Sequence, residues 1–222
     1  MLTLASIAYK LNIFFTVFIL RLFKLIQILF ILKKSYQSIP SYSISKQYRI
    51  TQEPSNSDLI YGELSVHAFL YLLALIPKKN NALIYDLGCG DGKLLLSAVL
   101  FFKNLKAIGI EKVADLQKIA ALLALSIQAN SQKNHSTLIF LHQDFLDTDF
   151  SDANIVYING AALKQTTWQQ VCSCLKSLSE NSYVISVERK VELPLFTLEY
   201  AGIHHASWGK ARVYIYKKET AV

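Results

Sequence analysis

The sequence predicts an α/β fold: a mostly parallel sheet covered by helices on both faces, with an antiparallel C-terminal strand and an apolar N-terminal helix ahead of it. Three observations predict it. From residue 59 short apolar strands alternate with helical stretches, a glycine-rich turn joins the first strand to its helix, and beyond Glu188 two strand-like runs follow in hairpin order. The 222 residues leave room for one globular domain with a sizeable core plus an appendage.

Residues 2–32 are dominated by Leu, Ile, Phe and Val, interrupted by Lys10, Arg21 and Lys24 and closed by Lys33-Lys34. At 100° per residue the three inner cations fall within about 60° of one another. That stripe suits a helix lying in a membrane interface or a spanning helix that hides two cations. Two central cations cost roughly 5–7 kcal/mol, and about fifteen strongly apolar residues return a similar amount. Long side chains that snorkel lower the cost. Residues 1–34 are therefore expected to be a membrane anchor or interfacial helix, the alternative being a buried helical hairpin of the globular fold. No small-x-small cleavage site follows, which argues against a secretory leader.

Charge supports the same division. Residues 1–50 hold seven cations (Lys10, Arg21, Lys24, Lys33, Lys34, Lys46 and Arg49) and no acid, leaving sixteen basic against sixteen acidic side chains beyond them. A phosphate-backbone binder needs clustered cations on its binding domain. Here the excess of +7 lies outside it, so a nucleic acid or nucleosome partner is not expected and an anionic membrane surface is. Cations flanking the apolar run place the following domain on the cytoplasmic side. Three cysteines without zinc-ligand spacing exclude a disulfide framework and suit a reducing compartment.

Residues 35–58, rich in Ser, Tyr and Gln with Pro40 and Pro54, show no apolar period and read as a linker. The domain is expected over 59–218. Its first helix spans 64–76, ending before Pro77. A strand at 82–87 leads through the glycine turn into a helix at 92–103. Strand 107–110 and helix 115–131 follow, then strands 138–141 and 155–158, a helix near 166–178 and a strand at 183–187. Runs 195–200 and 212–217 close the sheet.

The chemistry centres on Asp86-Leu-Gly88-Cys89-Gly90-Asp-Gly92. Glycines let the backbone bend sharply and approach a ligand at the carboxyl edge of the sheet. Lys93 stands where a dinucleotide fingerprint needs its last glycine, and no P-loop Gly-Lys-Ser/Thr is present. The pattern suits a ligand with an amino-acid tail and no phosphates, with Asp86 facing the cationic part of that tail. Glu111, ending the second strand in Gly109-Ile-Glu-Lys112, can accept from both ribose hydroxyls. Asp144 can accept from an adenine amino group while Phe145 packs on the base. This constellation identifies a class I S-adenosylmethionine-dependent methyltransferase, with no metal. The five histidines (67, 135, 142, 204 and 205) have no ligand spacing.

Five segments then resemble, in order, the non-SET lysine methyltransferases of the disruptor-of-telomeric-silencing family. They are Tyr61-Gly-Glu63, the Asp86–Gly92 loop, Gly109–Lys112, Gln143-Asp-Phe-Leu146 and Asn154–Asn159. A sixth is Ser207-Trp-Gly-Lys-Ala-Arg-Val-Tyr214. The resemblance implies a Rossmann-like seven-stranded sheet, S-adenosyl-L-methionine as methyl donor and a protein lysine as acceptor. It implies that Tyr61 and Glu63 close over the methionine portion, that Lys112 belongs to the cofactor site, and that Asn159 and Tyr214 line the lysine channel as catalytic residues. Read on their own, Asn159 is equally a turn residue and Tyr214 an ordinary strand aromatic. Gly160-Ala161 departs from the family's Asn-aromatic pair, and Leu64 stands where a small hydroxyl residue is usual. A widened pocket there would admit a small lipophilic or isoprenoid acceptor instead. A third reading is a non-catalytic cofactor-binding membrane module.

Overall fold

The computed structural model describes residues 4–54, 56–77, 81–128 and 136–220, and the backbone alone at 4–14, 17 and 128. His135 and the last residues of the helix expected at 115–131 lie outside them. The chain forms two compact units, Met1–Ser38 and Ile39–Val222.

The first unit is one 33-residue helix, α1 (Leu4–Tyr36), with Lys33 and Lys34 in its last turn, where cations complement the helix dipole. Among the described residues no helix is long and apolar enough to cross a membrane. The spanning form of the N-terminal segment is therefore not found among the described residues.

In the second unit the segment expected to be a linker is structured. It contains α2 (Ser41–Thr51) and a single 3-10 turn at Ser57–Leu59. No apolar period announces α2, because hydrogen bonds hold it. The Ser41 hydroxyl donates to Asp91 Oδ2 at 2.6 Å, and the Ser45 hydroxyl donates to the Leu59 carbonyl.

The sheet elements follow expectation within a few residues, except that the strand expected at 195–200 runs on to Ala206. They are α3 (Val66–Leu75), β1 (Leu83–Leu87), α4 (Lys93–Phe101), β2 (Lys106–Glu111), α5 (Ala114–Gln128), β3 (Thr137–His142), β4 (Ile155–Asn159), α6 (Gln165–Leu175), β5 (Tyr183–Val187), β6 (Phe196–Ala206) and β7 (Gly209–Lys218). Seven strands form one sheet in the order β3-β2-β1-β4-β5-β7-β6. All neighbours pair in parallel except β7, which runs antiparallel to β5 and β6. Reversal of strand order at β1/β4 opens a crevice at the carboxyl ends of those strands, where open α/β sheets bind ligands.

Alternation explains why β1, β4 and β5 read as continuous apolar runs. Tyr85, Leu87, Val156, Ile158 and Val184 face a core with Trp168, Val171 and Leu175 of α6. Ile84, Ile155 and Ile185, on the other face, are buried as completely. Strands covered on both sides need apolar residues at every position. Each fully buried Leu or Ile contributes about 1.5–3 kcal/mol. Ser65 caps α3 by accepting from Ala68 N at 3.2 Å, and Phe69 of that helix packs edge-on against Tyr157, centroids 4.9 Å apart.

Candidate active site

The glycine loop between β1 and α4 takes its shape from backbone that only glycine adopts without strain: φ is +81° at Gly88, +58° at Gly90 and +77° at Gly92. Nothing lies within 4 Å of where a Cβ on Gly88 would sit, so the loop presents open backbone to the cavity there. Gly92 has a packing role instead. Its missing side chain leaves room for the Phe140 ring, and it precedes α4 without lining the cavity.

Glu111 fixes the loop. Its Oε2 accepts from Gly90 N at 2.8 Å and its Oε1 from Val113 N at 2.7 Å. A carboxylate offers about four lone-pair sites, more than the backbone amides here occupy, so it can still receive a ligand hydroxyl. Burial pushes its pKa up, while the Val113, Gly90 and Lys112 amides pull it back. Asp86, fully buried at the end of β1, is raised well above the usual carboxylate range by burial and then by the neighbouring charges of Glu111 and Glu63. Three desolvated carboxylates around one cavity favour a ligand that brings positive charge and hydroxyl donors. Burial, and then the charges of Asp86, Glu111 and Asp91, push the Cys89 thiol well above its ordinary value.

A strap formed by residues 60–65 closes the cavity. Tyr61 lies over Gly90, where an added Cβ would meet its ring at 2.6 Å. Its hydroxyl donates to Glu63 Oε2 at 3.3 Å. Glu63 also pairs with Lys93, and this ion pair opposes the upward push that burial gives its pKa. Four tethers hold the strap backbone: Asn159 Nδ2 donates to the Gly62 carbonyl at 2.8 Å, Ser207 N to the Glu63 carbonyl at 2.8 Å, Glu63 N to Ser207 Oγ at 3.1 Å, and Ser65 N to the His205 carbonyl at 2.9 Å. The Trp208 ring rests on Gly62, in space that a side chain would fill. Segments 61–63, 154–159 and 207–208, apart in sequence, thus meet at one mouth. Trp208 packs on the strap.

Elsewhere on the cavity wall, Asp144 Oδ1 accepts from Leu146 N at 3.0 Å. Its other oxygen lies 3.5 Å from Lys112 Nζ, which is also 2.8 Å from Glu53. Lys112 is held charged chiefly by Glu53. Phe145, half-buried, lines the cavity beside Glu111 and Asp144.

Tyr61, Glu63, Asp86, Gly88, Cys89, Gly90, Glu111, Lys112, Asp144, Phe145 and Asn159 all line this cavity. Tyr214 does not. On β7 it pairs with Ser186 and turns with Tyr216 toward the α6 core. Two-residue alternation along the strand sets that direction, so Tyr214 lies outside the lining of this cavity. The room expected at Gly160 is also taken: Arg189 Cγ lies 2.5 Å from where a Cβ would be, and its guanidinium donates to the carbonyls of Gly160 and Leu163 and to Gln165 Oε1.

Sequence reasoning missed Asp58. It accepts from Lys164 N at 2.5 Å and from the Thr167 hydroxyl at 2.6 Å, fastening the strap's approach to the start of α6. A cap supplied from more than a hundred residues away leaves no local signal. Lys93 was legible only as the residue that spoils a dinucleotide fingerprint.

Residues 40–202 match the family model described as "Histone methylation protein DOT1". A protein-lysine N-methyltransferase of Saccharolobus islandicus (strain REY15A) is 31% identical over 85 residues, covering 38% of this chain and 50% of that protein. The chain thus spans about half the length of the curated relative it matches. Among solved structures, magnesium protoporphyrin IX methyltransferase (ChlM) of Synechocystis PCC 6803 with bound SAM superposes with a TM-score of 0.55 at 17% identity, over 84% of this chain and 89% of that one. TrmN of Thermus thermophilus also gives 0.55 at 17% identity, over 69% and 48% respectively. At such identities the likeness is one of fold.

Proposed function

The chain belongs to the DOT1 histone-methylation family, and from that premise we propose that it is an S-adenosylmethionine-dependent methyltransferase acting on a protein lysine at or near a membrane. One observation carries the reading. Asn159, which ends β4, is hydrogen-bonded to the strap that closes the cavity, so a residue suited to guiding an acceptor and the lid of the cofactor site share one mouth.

The cavity fits the cofactor by its donor set. Glu111 would receive the ribose hydroxyls, Asp144 and Phe145 the adenine, and Glu63 and Asp86 the cationic tail. When bound, the cofactor supplies an electrophilic methyl group on a sulfonium. The protein's part is largely positioning, which alone can supply several kcal/mol toward the barrier. Lysine attacks only as the neutral amine, and a water-poor mouth disfavours the ammonium form. The Asn159 carbonyl oxygen accepts from Ala161 N at 3.2 Å and keeps a lone pair that can orient the amine without placing a charge beside it. Arg189 packed over Gly160 supports the lysine reading over a small lipophilic acceptor, which would call for room there.

The test is incubation of the protein with radiolabelled S-adenosylmethionine and separate membrane and soluble extracts, followed by hydrolysis of labelled protein. Methyllysine is expected, most of it from membranes. Label in the lipid phase, or in another amino acid, would overturn the acceptor. Tight cofactor binding with no transfer to any extract would overturn the enzyme.

A further inference from the structure

The one long helix that methyl transfer does not use is α1. Phe15, Phe18, Leu22, Phe23, Ile26 and Phe30 are all between 46% and 70% exposed. At 100° per residue they share an arc of about 140°. Arg21, also exposed, falls outside that arc, and exposed Lys33 and Lys34 follow at the helix end. The first acidic residue in the chain is Glu53. We infer that α1 docks on an anionic lipid bilayer, lying in the plane of the interface with its phenylalanine stripe turned into the acyl boundary.

Geometry and charge select this occupant. Among the described residues no helix is long and apolar enough to cross a membrane, and a seat along the interface asks for less apolar length. Four phenylalanines give the stripe large rigid apolar rings, while the cations and the lack of any acid before Glu53 complement anionic headgroups. A protein groove would account for the stripe but leave this acid-free charge without a complement. The inference concerns α1 alone and stands or falls apart from methyl transfer.

The test is co-sedimentation of the full chain with vesicles of phosphatidylcholine, with and without phosphatidylglycerol. Binding is expected to the anionic vesicles, weakened by high salt. It should fall at least about tenfold in Phe18→Asp/Phe23→Asp and less in Lys33→Gln/Lys34→Gln. Affinity for S-adenosylhomocysteine, measured in the same preparations, should be unchanged. Failure to bind vesicles, or undiminished binding by the Phe18→Asp/Phe23→Asp protein, overturns the proposal. Retention on vesicles after alkaline carbonate overturns the in-plane geometry. Lipid-free self-association that the same substitutions abolish, without vesicle binding, assigns the stripe to a protein partner instead.

Discussion

Gly92 and Asn159 show how single atoms set the site. Gly92 combines φ of +77° with a would-be Cβ only 2.3 Å from Phe140 and 2.9 Å from Ala120. Left-handed strain and overpacking add, so Gly92→Ala should destabilise by about 3 kcal/mol, read as a lower urea midpoint at unchanged slope. A shift below about 0.5 kcal/mol would mean that the loop relaxes around a methyl group. Asn159 has two jobs. From sequence, Asn159→Ala is expected to spare cofactor binding and lower turnover, but its amide also tethers the strap. Losing one hydrogen bond should weaken the cofactor by no more than about tenfold. Single-turnover transfer should fall by more, about a hundredfold, as positioning is lost. Equal losses in both measurements would confine Asn159 to holding the strap.

Elements differ in how plainly they announce themselves. β1, β4 and β5 were legible because both their faces are buried, so apolar residues dominate them, with Asp86 in β1 and Ser186 in β5 as buried exceptions. The glycine loop was legible because its left-handed backbone restricts the residue type. α2 was not legible: serines fix it, and a hydrogen bond from one side chain leaves no periodicity. The Ser41 hydroxyl reaches Asp91, inside the glycine loop and fifty residues on. Ser41→Ala should therefore cost about 1–3 kcal/mol, because it removes one hydrogen bond to the buried Asp91 carboxylate. It should also speed amide exchange in α2 and the glycine loop together. Exchange confined to α2 would show that the contact anchors the helix without supporting the site.

Across the whole molecule the cavity's charge gives a pH signature. Burial raises the pKa of Asp86, Glu63 and Glu111. In the empty protein their contribution to stability is present below the ordinary carboxylate range and is lost as pH rises through the raised values. A positively charged ligand favours the ionised forms, so binding releases protons and affinity climbs with pH above that range. Titrations near pH 5–6 in two buffers of different ionisation heat should reveal net release, and the thermal shift produced by ligand should be larger at about pH 7 than at about pH 5. Net proton uptake would contradict the assignment of these carboxylates to a cationic tail. At this scale the sequence conveyed the order of the sheet elements and most of the lining. What escaped it depends on the folded chain: the direction of Tyr214, the Arg189 brace over Gly160 and the long-range cap by Asp58.

Calorimetric titration of the folded full chain with S-adenosylhomocysteine, beside Glu111→Ala, bears most directly on the cavity. One-site binding is predicted for the wild type, with affinity at least about tenfold lower once the carboxylate between Gly90 and Val113 is gone. An absence of binding heat in the wild type across temperatures, or equal affinity in both proteins, would contradict the account.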